Sequence, residues 1–202
     1  KKNSDNSLFA YTNDDVLHDV NEITGSKTII KMANKGKLYL WEPFSENYRD
    51  IYSTTKNLYK NISSTEIIFE EINHDLKLKF QYSWTCGEKF GFIKTAKIFN
   101  ESSAKKEIEV LDGIQNILPS GVSQKLQSGF STLIDGYKKN ELISKYGLGV
   151  YSLSSIPSDR ALPAESLKAT TVWAAGIYVQ KYLLSSKQIS NFRKNISIEQ
   201  ED

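Results

Sequence analysis

Residues Asp75 to Trp84 read DLKLKFQYSW. Leu76, Leu78, Phe80, Tyr82 and Trp84 fall on one face of an extended chain; Asp75, Lys77, Lys79, Gln81 and Ser83 fall on the other. Strict alternation of this kind predicts an antiparallel strand with one wet face. The run before it, Thr65 to Ile72 (TEIIFEEI), is also β-like, and Asn73-His74 is short enough to join the two as a hairpin. Glu70 and Glu71 are adjacent on that strand and so point to opposite faces, which excludes a carboxylate dyad. A solvated edge or rim is expected for both.

Upstream, Thr28 to Met32 and Lys37 to Trp41 flank Asn34-Lys35-Gly36, an Asn/Gly turn between apolar runs and a second hairpin signal. Residues 42–57 are polar and aromatic, contain Pro43, and read as a long connection; residues 1–26 read as an irregular start. Downstream, Phe90 to Phe99 and Lys106 to Leu111 are strand-like, separated by the turn residues Asn100 to Ser103. The period then changes. Val122, Leu126, Phe130, Leu133, Ile134 and Tyr137 recur at helical spacing, predicting a helix within 123–145 that Gly129 and Gly136 could break. Leu148 to Ile156 returns to β, residues 159–166 form a loop with Pro163, and Leu167 to Leu184 reads as a long strand or two strands bent at Gly176. Strands in series without alternating helices predict a mainly β fold, an antiparallel β-sandwich with one helical insertion around 123–145. The sandwich domain is expected over 27–185, followed by a polar closing segment over 186–202 in which Asn191-Phe192-Arg193 packs back.

A chain of 202 residues can bury about 70% of its unfolded surface, enough for a core without staples. Its 39% hydrophobic content and its 11 Tyr, 9 Phe and 3 Trp exclude a disordered chain. The net charge of +2, and the presence of only Arg49, Arg160 and Arg193 among 26 basic residues, argue against nucleic-acid binding. One cysteine excludes an intrachain disulfide, and with only His18 and His74 no metal site is expected. No apolar run approaches a membrane span, so no membrane partner is expected. The opening KKNSDNS has no apolar signal region and reads as a trimmed start. The single cysteine fits a cytoplasm, and the lysine-rich, arginine-poor usage fits an AT-rich bacterial genome.

No phosphate-binding glycine loop, GxSxG elbow or HExxH motif is present, and no cofactor is implied. Cys86 has no implied catalytic partner, and both histidines read as solvated surface groups. Two stretches carry more chemistry. Leu111 to Gly121 (LDGIQNILPSG) places Asp112, Gln115 and Asn116 among apolar residues between a strand and a helix. Planar amides and carboxylates suit sugar hydroxyls, but the same groups can satisfy backbone where a chain leaves a sheet. Ser158 to Lys168 (SDRALPAESLK) clusters Asp159, Arg160 and Glu165 in a loop that could present a carboxylate to a ligand or form an ion-paired corner. An Asp112/Glu165 pair could hydrolyse a glycoside only if the two lay within roughly 5–10 Å. Trp41, Trp84 and Trp173 lie on three separate strands; an exposed one, such as Trp173, could stack on a pyranose, and a buried one would be core.

These stretches, with Glu66–Leu76 (EIIFEEINHDL) and Glu88–Phe92 (EKFGF), resemble the amino-terminal region of large bacterial cellobiose-phosphorylase-like proteins. The match lies in an LDGxxNxLPxGV pattern at 111–122, in STLIDGYK at 131–138, and in DRAxPxESLKATTVW at 159–173. It spans roughly 60% of the chain. The resemblance implies a supersandwich-like β domain of the kind that precedes an (α/α) barrel in glycoside phosphorylases and hydrolases. It implies a carboxy-terminal helical catalytic domain of the same polypeptide as partner, with carbohydrate as a further ligand. No family catalytic acid maps onto these residues, so no catalytic residue is expected here. The expectation is a non-catalytic module that scaffolds the barrel and lines the rim of its sugar site. Asp112, Gln115, Asn116, Asp159, Arg160, Glu165 and Trp173 are the candidates for carbohydrate binding or the domain interface. A free-standing carbohydrate-binding module, an independent glycosidase and a protein-interaction domain remain alternatives.

Overall fold

The structure, a computed structural model, describes residues 22–156 and 165–200. It is mainly β, with antiparallel strands and short helices. The chain forms two compact units: residues 28–111, and the described residues of 22–27 together with those from 112 onward.

In the 28–111 unit, strands β1 (Gly25–Asn34) and β2 (Lys37–Trp41) pair antiparallel. Asn34 faces Lys37, so Lys35 and Gly36 alone make the turn, with φ of 47° and 77°. Two left-handed residues in a two-residue loop match the twist of the flanking strands, which is why Gly36 is there. Strand β7 (Ile108–Gln115) lies on the other side of β1, giving the order β2-β1-β7. A second sheet is an antiparallel meander of β3 (Thr54–Lys60), β4 (Ile67–Asn73), β5 (Leu78–Gly87) and β6 (Gly91–Asn100). Ile30, Met32 and Trp41 of the first sheet pack with Leu76, Leu78 and Phe80 of the second, all at most 5% exposed. Tyr39, Tyr82, Ile98 and Ile108 close around them. Two sheets with facing apolar sides make a sandwich.

Strand β5 begins at Leu78 rather than at Asp75, because His74 to Lys77 form the turn. Asn73 organises it: its side-chain oxygen accepts from the Leu76 amide at 2.9 Å. Lys77 takes a φ of 47°, and the Lys106 ammonium caps the carbonyls of Leu76 and Lys77. Leu76 keeps its core place from within the turn.

In the other unit, β8 (Lys138–Ile143), β9 (Leu148–Leu153) and β10 (Ala169–Trp173) form an antiparallel sheet in the order β10-β9-β8. The helical insertion is present as α1 (Gln124–Gly129) and α2 (Ser131–Asp135), broken at Phe130, where φ is −139°. The Ser123 hydroxyl caps α1 by accepting from the Leu126 amide. The helix stops well before 145. Beyond Tyr137 the run KKNELI has no apolar partner one turn back, and it pairs with β9 instead. Leu118, Val122, Ile134 and Leu153 form the core here. Only 169–173 of the expected 167–184 strand is extended ladder. The closing segment holds a short helix, α3 (Ile189–Arg193), which buries Ile189 and Phe192. Among the described residues no helix is long and apolar enough to cross a membrane.

Candidate functional site

The 28–111 unit carries a cleft of about 470 Å³ where the connection after β2 passes over the start of β3. Its floor is apolar and acidic at once: Trp41, Glu42 and Glu71 are 1%, 2% and 3% exposed. Glu71 reaches it from β4 and is held by two donors. Its Oε1 accepts from the Trp41 indole N–H at 2.9 Å, and its Oε2 from the Phe44 amide at 2.7 Å. That second bond fixes the tight turn at 42–45, where Phe44 takes a φ of 64° and the Ser45 amide returns to the Glu42 carbonyl. The Phe44 ring is thereby set edge-on to Tyr82, with centroids 5.4 Å apart. Tyr82 stacks on Phe69 at 4.7 Å, and its burial pushes the phenol up to about 12.

The mouth is charged. Lys56 lies 3.8 Å from Glu46 and 3.9 Å from Glu71, and Arg49 lies 3.4 Å from Glu46. Tyr48, Asp50, Tyr52 and Thr54 complete the wall. Tyr52 is tied down by its hydroxyl, which donates to the Leu40 carbonyl at 3.0 Å.

The expectation that Glu70 and Glu71 are solvated is corrected: they are 5% and 3% exposed. They do point to opposite faces, but each finds donors there. Asn57 and Gln81 are the cross-strand partners of Glu70 in β3 and β5. Asn57 donates at 2.9 Å and Tyr59 at 3.0 Å, and the Gln81 amide donates to the other oxygen. The Asn57 bond, ahead of the others, holds the Glu70 carboxyl below its ordinary value of 4.5 against the opposing effect of burial. A depressed folded value means that the stabilisation is complete above the unfolded value and is lost as pH falls through the folded one. Thermal melts between pH 6 and roughly 3 are therefore expected to show an acid limb that Glu70→Gln flattens. An unchanged limb would assign the acid loss to other carboxylates.

The residues singled out from sequence lie in the other unit, or on β7 as it enters that unit. Asp112 and Asn116 are exposed and Gln115 is half-buried. Asn116 takes a φ of 55° and its amide donates to the Thr24 hydroxyl at 3.1 Å. Ile117, Leu118 and Val122 beside it are buried. Glu165 is exposed and Trp173, at the end of β10, is 47% exposed. The Thr170 hydroxyl donates to the Leu118 carbonyl at 2.9 Å, so the 111–122 and 165–173 stretches meet. Asp159 and Arg160 lie outside the described residues. Trp41 is core and Trp84 half-buried, which leaves Trp173 as the exposed indole.

Cys86 is an exposed free thiol, and His74 is bonded through Nε2 to the Thr55 hydroxyl at 2.8 Å. Among the described residues no group of three His, Cys, Asp or Glu could hold a metal ion. No protein-family model matches the chain, and no curated protein matches it.

Proposed function

We propose that this chain is a non-catalytic β module of a larger carbohydrate-active protein, scaffolding a carboxy-terminal helical catalytic domain and lining the rim of its sugar site. The observation that carries the reading is the Thr170–Leu118 hydrogen bond, which ties together the two stretches on which the resemblance to cellobiose-phosphorylase-like proteins rests. Around that tie Ile117, Leu118 and Val122 are buried, whereas Asp112, Asn116 and Glu165 stay exposed, as a rim would need. The exposed Trp173 favours a second reading, a free-standing carbohydrate-binding module that stacks a sugar on its indole.

Reading the source gene beyond both ends of the chain separates the two. A frame that continues for several hundred residues rich in amphipathic helices is expected. A frame that stops at Asp202 would overturn the scaffold. In the full-length protein, alanine at Asp112, Asn116 or Glu165 is expected to lower turnover or loosen domain docking. Unchanged kinetics and melting in all three would remove the rim role.

A further inference from the structure

We infer that strand β6 is a self-association edge: two copies of the chain pair antiparallel along it and join their four-stranded sheets into one. The strand lies in the 28–111 unit, away from the residues proposed above for the rim, and the inference stands independently of that reading.

Strand β6 ends the order β3-β4-β5-β6, and among the described residues no strand pairs with its outer side. Such an edge presents a row of backbone N–H and C=O groups to any chain that can approach. Proteins commonly blunt it with a short strand, a proline or a bulge. Strand β6 uses none of these. It is ten residues long and reads GFIKTAKIFN, without proline. Its pairing with β5 runs unbroken from Leu78 opposite Asn100 to Gly87 opposite Gly91, which leaves no bulge. Lys94 and Ile98 are half-buried, and the rest of the strand is exposed. The opposite edge of the sheet, β3, has seven residues.

The side chains name the occupant. Opposite residues of an antiparallel pair share a face, so a two-fold axis between two β6 strands sets one residue against itself. An axis at Lys94 or Lys97 would set like charges opposite each other, which is destabilising. An axis at Thr95 avoids this. Thr95 then faces Thr95, Phe92 faces Ile98, Ile93 faces the alkyl stem of Lys97, and Lys94 faces Ala96. Hydroxyl pairs and apolar pairs of this kind support a ladder. The same register brings the turn that carries Lys89 beside Glu101 of the other copy, once at each end. Both residues are exposed; Glu101 meets Lys79 at 3.6 Å in its own chain and keeps room for a second cation. An axis at Ala96 also separates the lysines, but it leaves Glu101 opposite Gly91. The Thr95 register is therefore the one in which the strand is complementary to itself in both shape and charge, and the occupant is a second copy.

The test is sedimentation equilibrium of the full chain from about 1 to 300 µM, the range suited to an interface smaller than the standard size. A monomer–dimer equilibrium is expected within it. Thr95→Lys puts two ammonium groups on the axis and should weaken the dimer by at least ~10-fold. Glu101→Lys turns both end contacts repulsive and should weaken it by ~10-fold, and adding Lys89→Glu to that variant should restore most of the loss. All three positions are exposed, so the dilute variants are expected to melt like the dilute parent. A chain that stays monomeric throughout, a dimer that Thr95→Lys leaves intact, or a charge exchange that fails to rescue would overturn the inference.

Discussion

Replacing Glu71 with alanine is expected to destabilise the 28–111 unit by about 2–5 kcal/mol, since it leaves two N–H donors without their acceptor at roughly 1–3 kcal/mol each. The carboxylate accepts from the buried Trp41 indole and the part-buried Phe44 amide, and the indole donor is deep enough that water would not replace it cleanly. The Lys56 contact adds little, since that ammonium is 44% exposed and 3.9 Å away. Against a typical total of about 5–15 kcal/mol, the loss would bring the unit close to unfolding at ordinary temperature. Urea titration followed by near-ultraviolet circular dichroism reads it directly. Glu71→Gln, which keeps one acceptor oxygen, should fall in between. A loss below about 1 kcal/mol for the alanine variant would mean that the carboxylate does not hold the turn.

Phe80→Ala is expected to cost a similar amount, about 3–5 kcal/mol, through lost burial and the cavity left behind. Phe80 is 1% exposed, packs with Leu78 and Trp41, and lies 6.4 Å from the Phe44 ring. The control is one strand over. Phe99 faces the opposite side of the same sheet, is 38% exposed and meets the Lys79 ammonium at 4.6 Å. Its alanine variant should lose no more than about 1 kcal/mol. Equal losses would contradict the register of β5 and β6.

The mainly β architecture was readable because alternation survives burial on one side. Leu78 and Phe80 sit in the core, and Lys79 and Gln81 lie opposite, as period 2 requires. The two hairpins were readable from turn chemistry, although Asn73 builds a longer turn than the spacing implied. The helix expected within 123–145 ends early because its apolar periodicity stops at Tyr137, and residues 138–143 pair with β9 instead. The cleft was missed for a different reason. The connection expected over 42–57 is corrected to end before Thr54, where β3 begins and pairs with β4, and nothing local says that Glu71, a strand residue, will turn inward to meet residues 42–53. Two adjacent buried glutamates contradict the usual rule for charged side chains. The rule yields because the donors come from other strands: Asn57 and Gln81 for one carboxylate, Trp41 for the other. Only the register places those donors. The remaining legible signal was the bulk of polar aromatics in the connection.

The chain order of the two units bears on how the protein acquires its structure during synthesis. Residues 28–111 are contiguous and can condense as soon as they emerge, whereas Thr24 must wait for Asn116, 92 positions later. Closing so long a loop from a random chain is slow. The sandwich shortens the wait, because β1 and β7 are neighbours in one sheet and its two ends are therefore delivered side by side. Once the first unit has formed, the gap that Thr24 and Asn116 must bridge has shrunk to about one strand spacing, roughly 5 Å. A nascent chain stalled before Ile108 lacks β7 and with it this shortcut, so the second unit would inherit its folding speed from the first.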